Sequence, residues 1–345
     1  MTASASVLVV GGGVVGRACA RAAAQAGHHV TIVAAPPGAT PGASGLPAAL
    51  LNPYRGRRGA AHPADLYGLE RTWAWANELA GEGFTPGVER TGVWRVPDRE
   101  AQANAWRAQA ETDPGLSFID PEDVDARLHA PFGVMVVRQG GWLRPDVHLA
   151  ALRASFEASG GHWLEGLVQR VSPDGTRWRV QGDGIDATAD VVLLATGAAS
   201  PPGLPPAVQA VWPDLVRHEG DVRTVQATDL VGLAPVAGGS YAAFADGTAF
   251  VGGGHREPGT AADHEKAVRD LHVAWAVPAL RDAAVVSVWT GVRAKTTAGR
   301  PVVQPLAPGL TAAVGFAGRG FLVAAAAAEA WAAQLSAGRL DRLEL

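Results

Sequence analysis

Apolar and polar positions along this chain change period several times, and each change marks an element. Residues 7–10 form a short apolar run with the β-branched content of a buried strand. It runs into Gly11-Gly12-Gly13-Val14-Val15-Gly16, after which residues 17–26 read as an Ala-rich helix closed by Gly27, and residues 29–34 as a second strand. The strand-into-glycine pattern recurs in DVVLLATGAAS at residues 190–200. It recurs again where a strand at 310–314 meets Gly315, Gly318 and Gly320 before a strong helix at 321–335. Between these units the periodicity is mixed. Residues 65–80 form an amphipathic helix with Leu66, Leu69, Trp73, Ala76 and Leu79 on its apolar face. A strand at 91–97, helices at 100–110 and 146–159, and a strand at 162–171 leading into a hairpin at Asp174-Gly175 follow. From 222 to 288 short strands alternate with turns, at 224–228, 241–244 and 248–252, interrupted by one helix at 261–276. This predicts an α/β protein with a Rossmann-like lobe and a second lobe built on an antiparallel sheet.

The first glycine run satisfies G-x-G-x-x-G in the strand–turn–helix–strand context that the motif requires. Gly11 permits the tight turn, Gly13 lets backbone approach a pyrophosphate, and Gly16 lets helix pack on strand. The helix N-terminus offers unpaired N–H groups to the phosphates. One part of a dinucleotide site is missing. The acidic residue that binds ribose at the end of the second strand is replaced by Ala34 and Ala35, and no acid follows until Asp65. Neither Lys nor Arg lies between Ala34 and Tyr54, so a reader of a 2′-phosphate is not evident.

Composition narrows the class. A chain of 345 residues, 48% hydrophobic and 18% charged, can bury large cores and is not disordered. Its net charge of -4 gives no general support for nucleic acid or an acidic membrane. The basic residues are nearly all arginine, with Lys266 and Lys295 the only lysines. The single Cys19 excludes an intrachain disulfide, which together with the want of a signal peptide points to the cytoplasm. The Ala-rich tail is interrupted by Glu329 and Gln334, so no membrane span is expected. A Gly-, Pro- and Ala-rich loop at 36–58 suits close backbone approach to a flat ligand. Arg55, Arg57 and Arg58 at its end form a basic cluster of the kind usually left solvated.

Four elements carry a resemblance over nearly the whole chain: GGGVVG at Gly11, ATG at Ala195, WTGVR at Trp289 and the GRG loop at Gly318. In these the sequence resembles the FAD-dependent amine and amino-acid oxidases of the D-amino-acid-oxidase superfamily, which include glycine oxidase and sarcosine oxidase. GASGLPAALLNPYRG from Gly42, GGWLRP from Gly140 and AGRGF from Ala317 are most similar to the oxidase half of the bifunctional tRNA wobble-uridine modification enzyme. The resemblance implies noncovalent FAD in an extended pose across a discontinuous nucleotide domain (1–78, 142–215 and 292–345). A substrate domain (79–141 and 216–291) would roof the site.

It assigns cofactor contacts to Gly11, Gly13, Val14, Val15, Gly16 and Ala34; to Ser44, Gly45, Ala48, Ala49 and Leu50; to Val168 through its backbone, at the adenine; to Ala195, Thr196 and Gly197; and to Gly315, Gly318, Arg319, Gly320 and Phe321. Arg293 matches the arginine that binds the substrate carboxylate, where a planar guanidinium can engage both oxygens. Tyr241 falls where the family often places a substrate-facing tyrosine. The implied reaction is hydride transfer from the α-carbon of a small amino acid or N-substituted glycine to flavin N5, giving an imine, with oxygen or another acceptor as oxidant. Positioning supplies much of such a rate, so His62, His148 and His255 are not nominated as bases.

Three departures qualify the match: Ala34 at the ribose position, Glu219-Gly220-Asp221 in place of Arg-Gly-Gln, and Ala298 where an Asp often stands. Two alternatives stay open. One is a tRNA-directed oxidase, which lacks here its usual methyltransferase half and which the acidic balance disfavours unless residues 55–58 lie exposed at the site mouth. The other is a flavin-binding protein without turnover.

Overall fold

A computed structural model describes residues 4–36, 38–39, 42–199, 203–257 and 268–340, with backbone alone at 255, 256 and 269. Its centre is a six-stranded sheet in the order His162–Glu165, His29–Ala34, Ser6–Val10, Val191–Leu194, Leu310–Val314, Val302–Ala307. The first five strands are parallel and the last runs antiparallel to its neighbour.

Strand alternation sends Val7 and Val9 to one face of this sheet and Leu8 and Val10 to the other. The first face is covered by the helices Val14–Gln25, Pro63–Gly81, Pro145–Ala158 and Gly320–Ser336. Alanines at 18, 20, 23, 324, 325 and 328, all buried, let the first and last of these helices approach closely. The second face is covered by an antiparallel meander, Val168–Asp174, Arg177–Gly182 and Ile185–Ala189, through Val171, Trp178 and Val180.

The other large sheet has eight strands in the order Val285–Thr296, Leu215–Gln226, Thr248–Arg256, Tyr241–Ala245, Val236–Ala237, Val93–Arg95, Val134–Val137, Leu116–Ile119. It is antiparallel except where Val236–Ala237 runs beside Val93–Arg95.

Several element boundaries differ from expectation. The first helix starts at Val14, three residues before Arg17, because Gly16 packs inside its first turn. The strand expected at 162–171 is two strands in two sheets. Gly166 divides them: a side chain there would meet Ile185, and its N–H donates to the carbonyl of Ala34. The loop at 36–58 contains a 3₁₀ turn, Ala43–Gly45, and short strands at Ala49–Leu51 and Tyr54–Arg55. Of the helix expected at 261–276, residues 261–267 lie outside the described residues; the remainder is a 3₁₀ turn at Val268–Asp270 and a short helix, His272–Ala276.

Candidate active site

The turn after the first strand is built from backbone. Gly11 has φ +123°, and a Cβ there would overlap the carbonyl of Ala195. A Cβ on Gly16 would overlap the carbonyl of Gly11. Strand, turn, helix and the Ala195 segment therefore close on one another with no side chain between them. The helix beginning at Val14 has no side-chain cap and no acidic residue in its first turn, so its positive end is left to an incoming anion. Ser44 lies against this turn: Val14 N–H donates to its Oγ at 3.1 Å, and a Cβ on Gly13 would stand 3.1 Å from the same oxygen. A glycine cradle with an uncapped helix end fits a pyrophosphate.

Next to this turn lies a cavity of about 540 Å³. Of the residues picked out in the sequence, Val14, Ser44, Ala49, Leu50 and Tyr241 line it. So do Arg293 and the segment Gly318, Arg319, Gly320 and Phe321. Gly11, Gly13, Val15, Gly16 and Ala195 belong to the backbone turn beside it. Gly45 faces the indole of Trp289, which also lines the cavity. Ala48 is fully buried, and its carbonyl accepts the Tyr241 hydroxyl at 2.8 Å. Thr196 donates to the carbonyl of Ala199, and Gly197 follows with φ +65°. Gly315 packs against Thr296 rather than against the cavity. Val168 starts the meander, two residues past the Gly166–Ala34 hydrogen bond, and stands apart from the cavity near Ala34.

Arg293 reaches the cavity from the strand Val285–Thr296, with two glycines at its guanidinium. A Cβ on Gly220 would lie 3.0 Å from Nη2, and one on Gly318 would lie 3.7 Å from Nη1. Nη2 donates to the carbonyl of Gly254 at 3.4 Å. Burial lowers the Arg293 pKa, an effect opposed by Tyr241, whose own pKa burial raises and Arg293 lowers. At neutral pH the guanidinium stays charged and the phenol neutral. Asp221 accepts from Thr290 Oγ1 across the strand pair at 2.7 Å. Arg256, at the end of the sheet strand Thr248–Arg256 and the next arginine in line for a carboxylate should Arg293 not bind it, has its side chain outside the described residues.

Sequence reasoning missed much of the cavity's charge. Arg55, taken as part of a solvated cluster, lines the cavity and donates from Nη2 to the Gly318 carbonyl at 3.0 Å. Burial, then its neighbours Arg319 and Arg293, lower its pKa to about 10 against the opposing pull of Asp65. Arg95 also lines the cavity, only 4% exposed, stacked at 4.6 Å on Trp106 and donating to the Gly56 carbonyl at 2.6 Å. The available signal was an arginine on the same face as buried Val93 in a strand of period two. Arg319 pairs with the buried carboxylate of Asp65 at 3.3 Å and donates to the Gly299 carbonyl at 2.8 Å. Arg57 and Arg58 are exposed beside the cavity-lining residues 55 and 56.

With that geometry in hand, the family model described as FAD dependent oxidoreductase matches residues 6–335. The chain belongs to this family. It is an FAD-dependent oxidoreductase, and the glycine cradle fits that cofactor. Its fold is that of glycine oxidase from Geobacillus kaustophilus (TM-score 0.81, 22% identity, 100% of this chain and 97% of that one). Iminodiacetate oxidase from Chelativorans is similarly close (TM-score 0.80, 20% identity, 98% and 96%). In sequence the chain is 32% identical, over 95% of its length, to the tRNA 5-methylaminomethyl-2-thiouridine biosynthesis bifunctional protein MnmC of Caulobacter. It covers 54% of that protein, so it spans about half the length of such curated relatives. Among the described residues no helix is long and apolar enough to cross a membrane, and no cluster of metal-ligating side chains occurs.

Proposed function

We propose that the chain oxidises a small amino acid or N-substituted glycine and that Arg293 holds the substrate carboxylate. The observation that carries this reading is the Arg293 guanidinium at the cavity wall, bracketed by Gly220 and Gly318. Bound FAD supplies the two-electron acceptor, reoxidised by oxygen or another acceptor.

The helix starting at Val14 and the Gly11–Gly13 turn would hold the pyrophosphate noncovalently. Ser44, Leu46, Ala49, Leu50 and the segment Gly318 to Phe321, which line the cavity, would hold the flavin end of the cofactor. Arg293 binds the carboxylate through two N–H groups and so fixes the α-carbon in one pose. Tyr241 has its hydroxyl committed to Ala48, which makes it a residue that positions the loop carrying Ala48 rather than a proton carrier. The substrate enters as the neutral amine and leaves as an imine, which water hydrolyses to an oxo acid and an amine. The test is the visible spectrum of the purified protein, followed by anaerobic bleaching with a panel of amino acids. Bleaching by glycine or N-alkyl glycines, and none by amines lacking a carboxylate, supports the reading. Bleaching by amines alone refutes it.

A second reading shares this chemistry but takes the amine on a tRNA uridine. It is favoured by the MnmC relatives and by the exposure of Arg57 and Arg58 beside the cavity wall. The net charge of -4 weighs against it. Stoichiometric tRNA binding that weakens steeply with salt, and is lost in Arg57→Ala/Arg58→Ala, would establish it over the first.

A further inference from the structure

The cavity carries more positive charge than one carboxylate uses. Arg55, Arg95, Arg293, Lys295 and Arg319 line it, against the carboxylate of Asp221. Arg319 is neutralised by Asp65, and the phosphates of the cofactor have their own site at the helix beginning at Val14. With Arg293 given to the first carboxylate and Lys295 exposed to solvent, that leaves Arg55 and Arg95, on the wall formed by residues 52–56 and the strand Val93–Arg95. Among the described residues, Arg55 Nε is buried with no hydrogen-bond acceptor. Arg95 Nη1 also has none, but it lies against Gly59, Trp106 and Met135, behind the wall, so that Arg95 backs Arg55 by its charge. Buried donors of a charged group are rarely left so unless a ligand completes them. Arg55 Nη1 and Arg293 Nη1 flank the same glycine, at 3.8 and 3.7 Å from a Cβ built on Gly318, so the two guanidinium groups face one space.

We propose that Arg55, backed by Arg95, forms a second acid-binding subsite, and that the substrate is an amino acid bearing a second anionic group. Burial of Arg95 restricts that group to one carried inside on a small molecule, since a polymer backbone at the mouth cannot reach it. This rests on the assignment of the first carboxylate to Arg293.

The test compares glycines N-substituted with a terminal carboxylate or phosphonate, on one- to three-carbon arms, with their N-alkyl counterparts. In the wild-type protein the acids should show kcat/KM roughly ten- to a hundredfold higher than the alkyl series. Whether carboxylate or phosphonate gains more identifies the acid. In Arg55→Ala the acid-to-alkyl ratio should fall toward one, and in Arg95→Lys it should fall in part. FAD content and unfolding midpoint serve to check that each variant folds. Binding of amine-free dicarboxylates, read from the flavin spectrum, should weaken in Arg55→Ala by the same factor. A wild-type ratio near one, or a ratio that Arg55→Ala leaves intact, overturns the subsite. If no amino acid bleaches the flavin, the parent reading has failed, while dicarboxylate binding still reports on Arg55.

A different observation bears on the ribose. In the parallel pairing of His29–Ala34 with His162–Glu165, Glu165 stands in register with Ala34 at the carboxyl ends of both strands. Residues paired so point to the same sheet face. We infer that the exposed Glu165 supplies, from one strand over, the carboxylate that Ala34 lacks. FAD release from the holoprotein on dilution, followed by flavin fluorescence, should show affinity roughly tenfold weaker in Glu165→Gln, with part retained in Glu165→Asp. Unchanged release overturns the assignment.

Discussion

The two ligand-facing regions of this molecule are made from opposite materials. The turn at Gly11–Gly16 is mostly backbone, contiguous in sequence and closed at Gly11, Gly12 and Gly16 by contacts that leave no room for a Cβ. The cavity wall proposed for the substrate carries long charged side chains, Arg55, Arg95, Arg293 and Arg319, from four separate segments. A phosphate chain common to every FAD can be met by fixed N–H groups. A variable substrate has to be met by side chains that a different sequence could replace. The first region should therefore fail completely when altered, and the second by degrees.

The largest effect is expected at Gly16. Its replacement by valine puts side-chain atoms into the Gly11 carbonyl, and the helix must move off the strand. Soluble protein should be scarce and free of flavin, as read by absorbance against protein content. A Gly16→Val protein with full FAD would mean that the turn is not the cofactor's anchor.

Arg293→Ala should lower the rate of flavin reduction by amino acids by roughly two to four orders of magnitude, on the scale of about 3–5 kcal/mol for a buried charge left unpaired. FAD content should stay near wild type, which separates this wall from the turn. Arg293→Lys should recover only part of the rate, because an ammonium lacks the planar fork. A rate equal to wild type in Arg293→Ala would place the carboxylate elsewhere.

The contrast between the regions also decides what the sequence could reveal. Gly11 and Gly16 announce themselves because a Cβ at either would overlap backbone, and Gly13 stands between them at the motif's fixed spacing, against Ser44. The place of Arg293 at the cavity wall is legible through its neighbours Trp289 and Gly291. Arg95 had no motif around it, and Arg55 was mistaken for a surface charge because its burial depends on Gly318, far away in sequence. The split at Gly166 was illegible for a similar reason: the strand changes sheets to meet Ala34 and Ile185, which no local pattern encodes.

A buried ion network in the nucleotide lobe should break more sharply from one side than from the other. Arg21 is fully buried on the helix Val14–Gln25, pairs with Glu82 at 2.6 Å, and donates from Nε to Ser155 Oγ at 2.8 Å. Burial works to raise the Glu82 pKa, but hydrogen bonds from Ser155 and Arg21 outweigh it and the net shift is downward. Glu82→Ala leaves the buried guanidinium with only the longer contact to the Glu78 carboxylate, 3.4 Å, beside Ser155, and should cost up to about 3 kcal/mol in urea unfolding. Arg21→Met leaves a half-exposed carboxylate that water can solvate, and should cost less. The reverse order would show that the network contributes through Glu82.

Acid should weaken the same lobe by a smaller amount. His148 is buried, its Nδ1–H donating to the Pro86 carbonyl at 2.9 Å, and burial lowers its pKa below the ordinary 6.5. His28 is lowered likewise, by burial and by His29. The unfolded chain then binds more protons than the folded one as pH falls below about 6.5, so stability is lost on acidification. The melting temperature should drop between about pH 7 and pH 5, and His148→Leu should flatten part of that drop. A slope unchanged in His148→Leu would assign it to other groups.

The smallest effect tests the packing around the turn itself. Cys19 lies on the helix that starts at the glycine cradle, fully buried among alanines, and burial pushes its thiol pKa up to about 12. A thiol that is neither ionised nor accessible is inert toward disulfide reagents. The native protein should show no thiol release at neutral pH over hours, and one equivalent after denaturation. Because labelling of so deep a residue requires the helix to leave the sheet, its rate measures opening of the nucleotide lobe. That rate should fall further when FAD occupancy is raised, since a ligand bound only by the closed state stabilises it. Labelling that ignores FAD would separate the motion of this helix from the cofactor site.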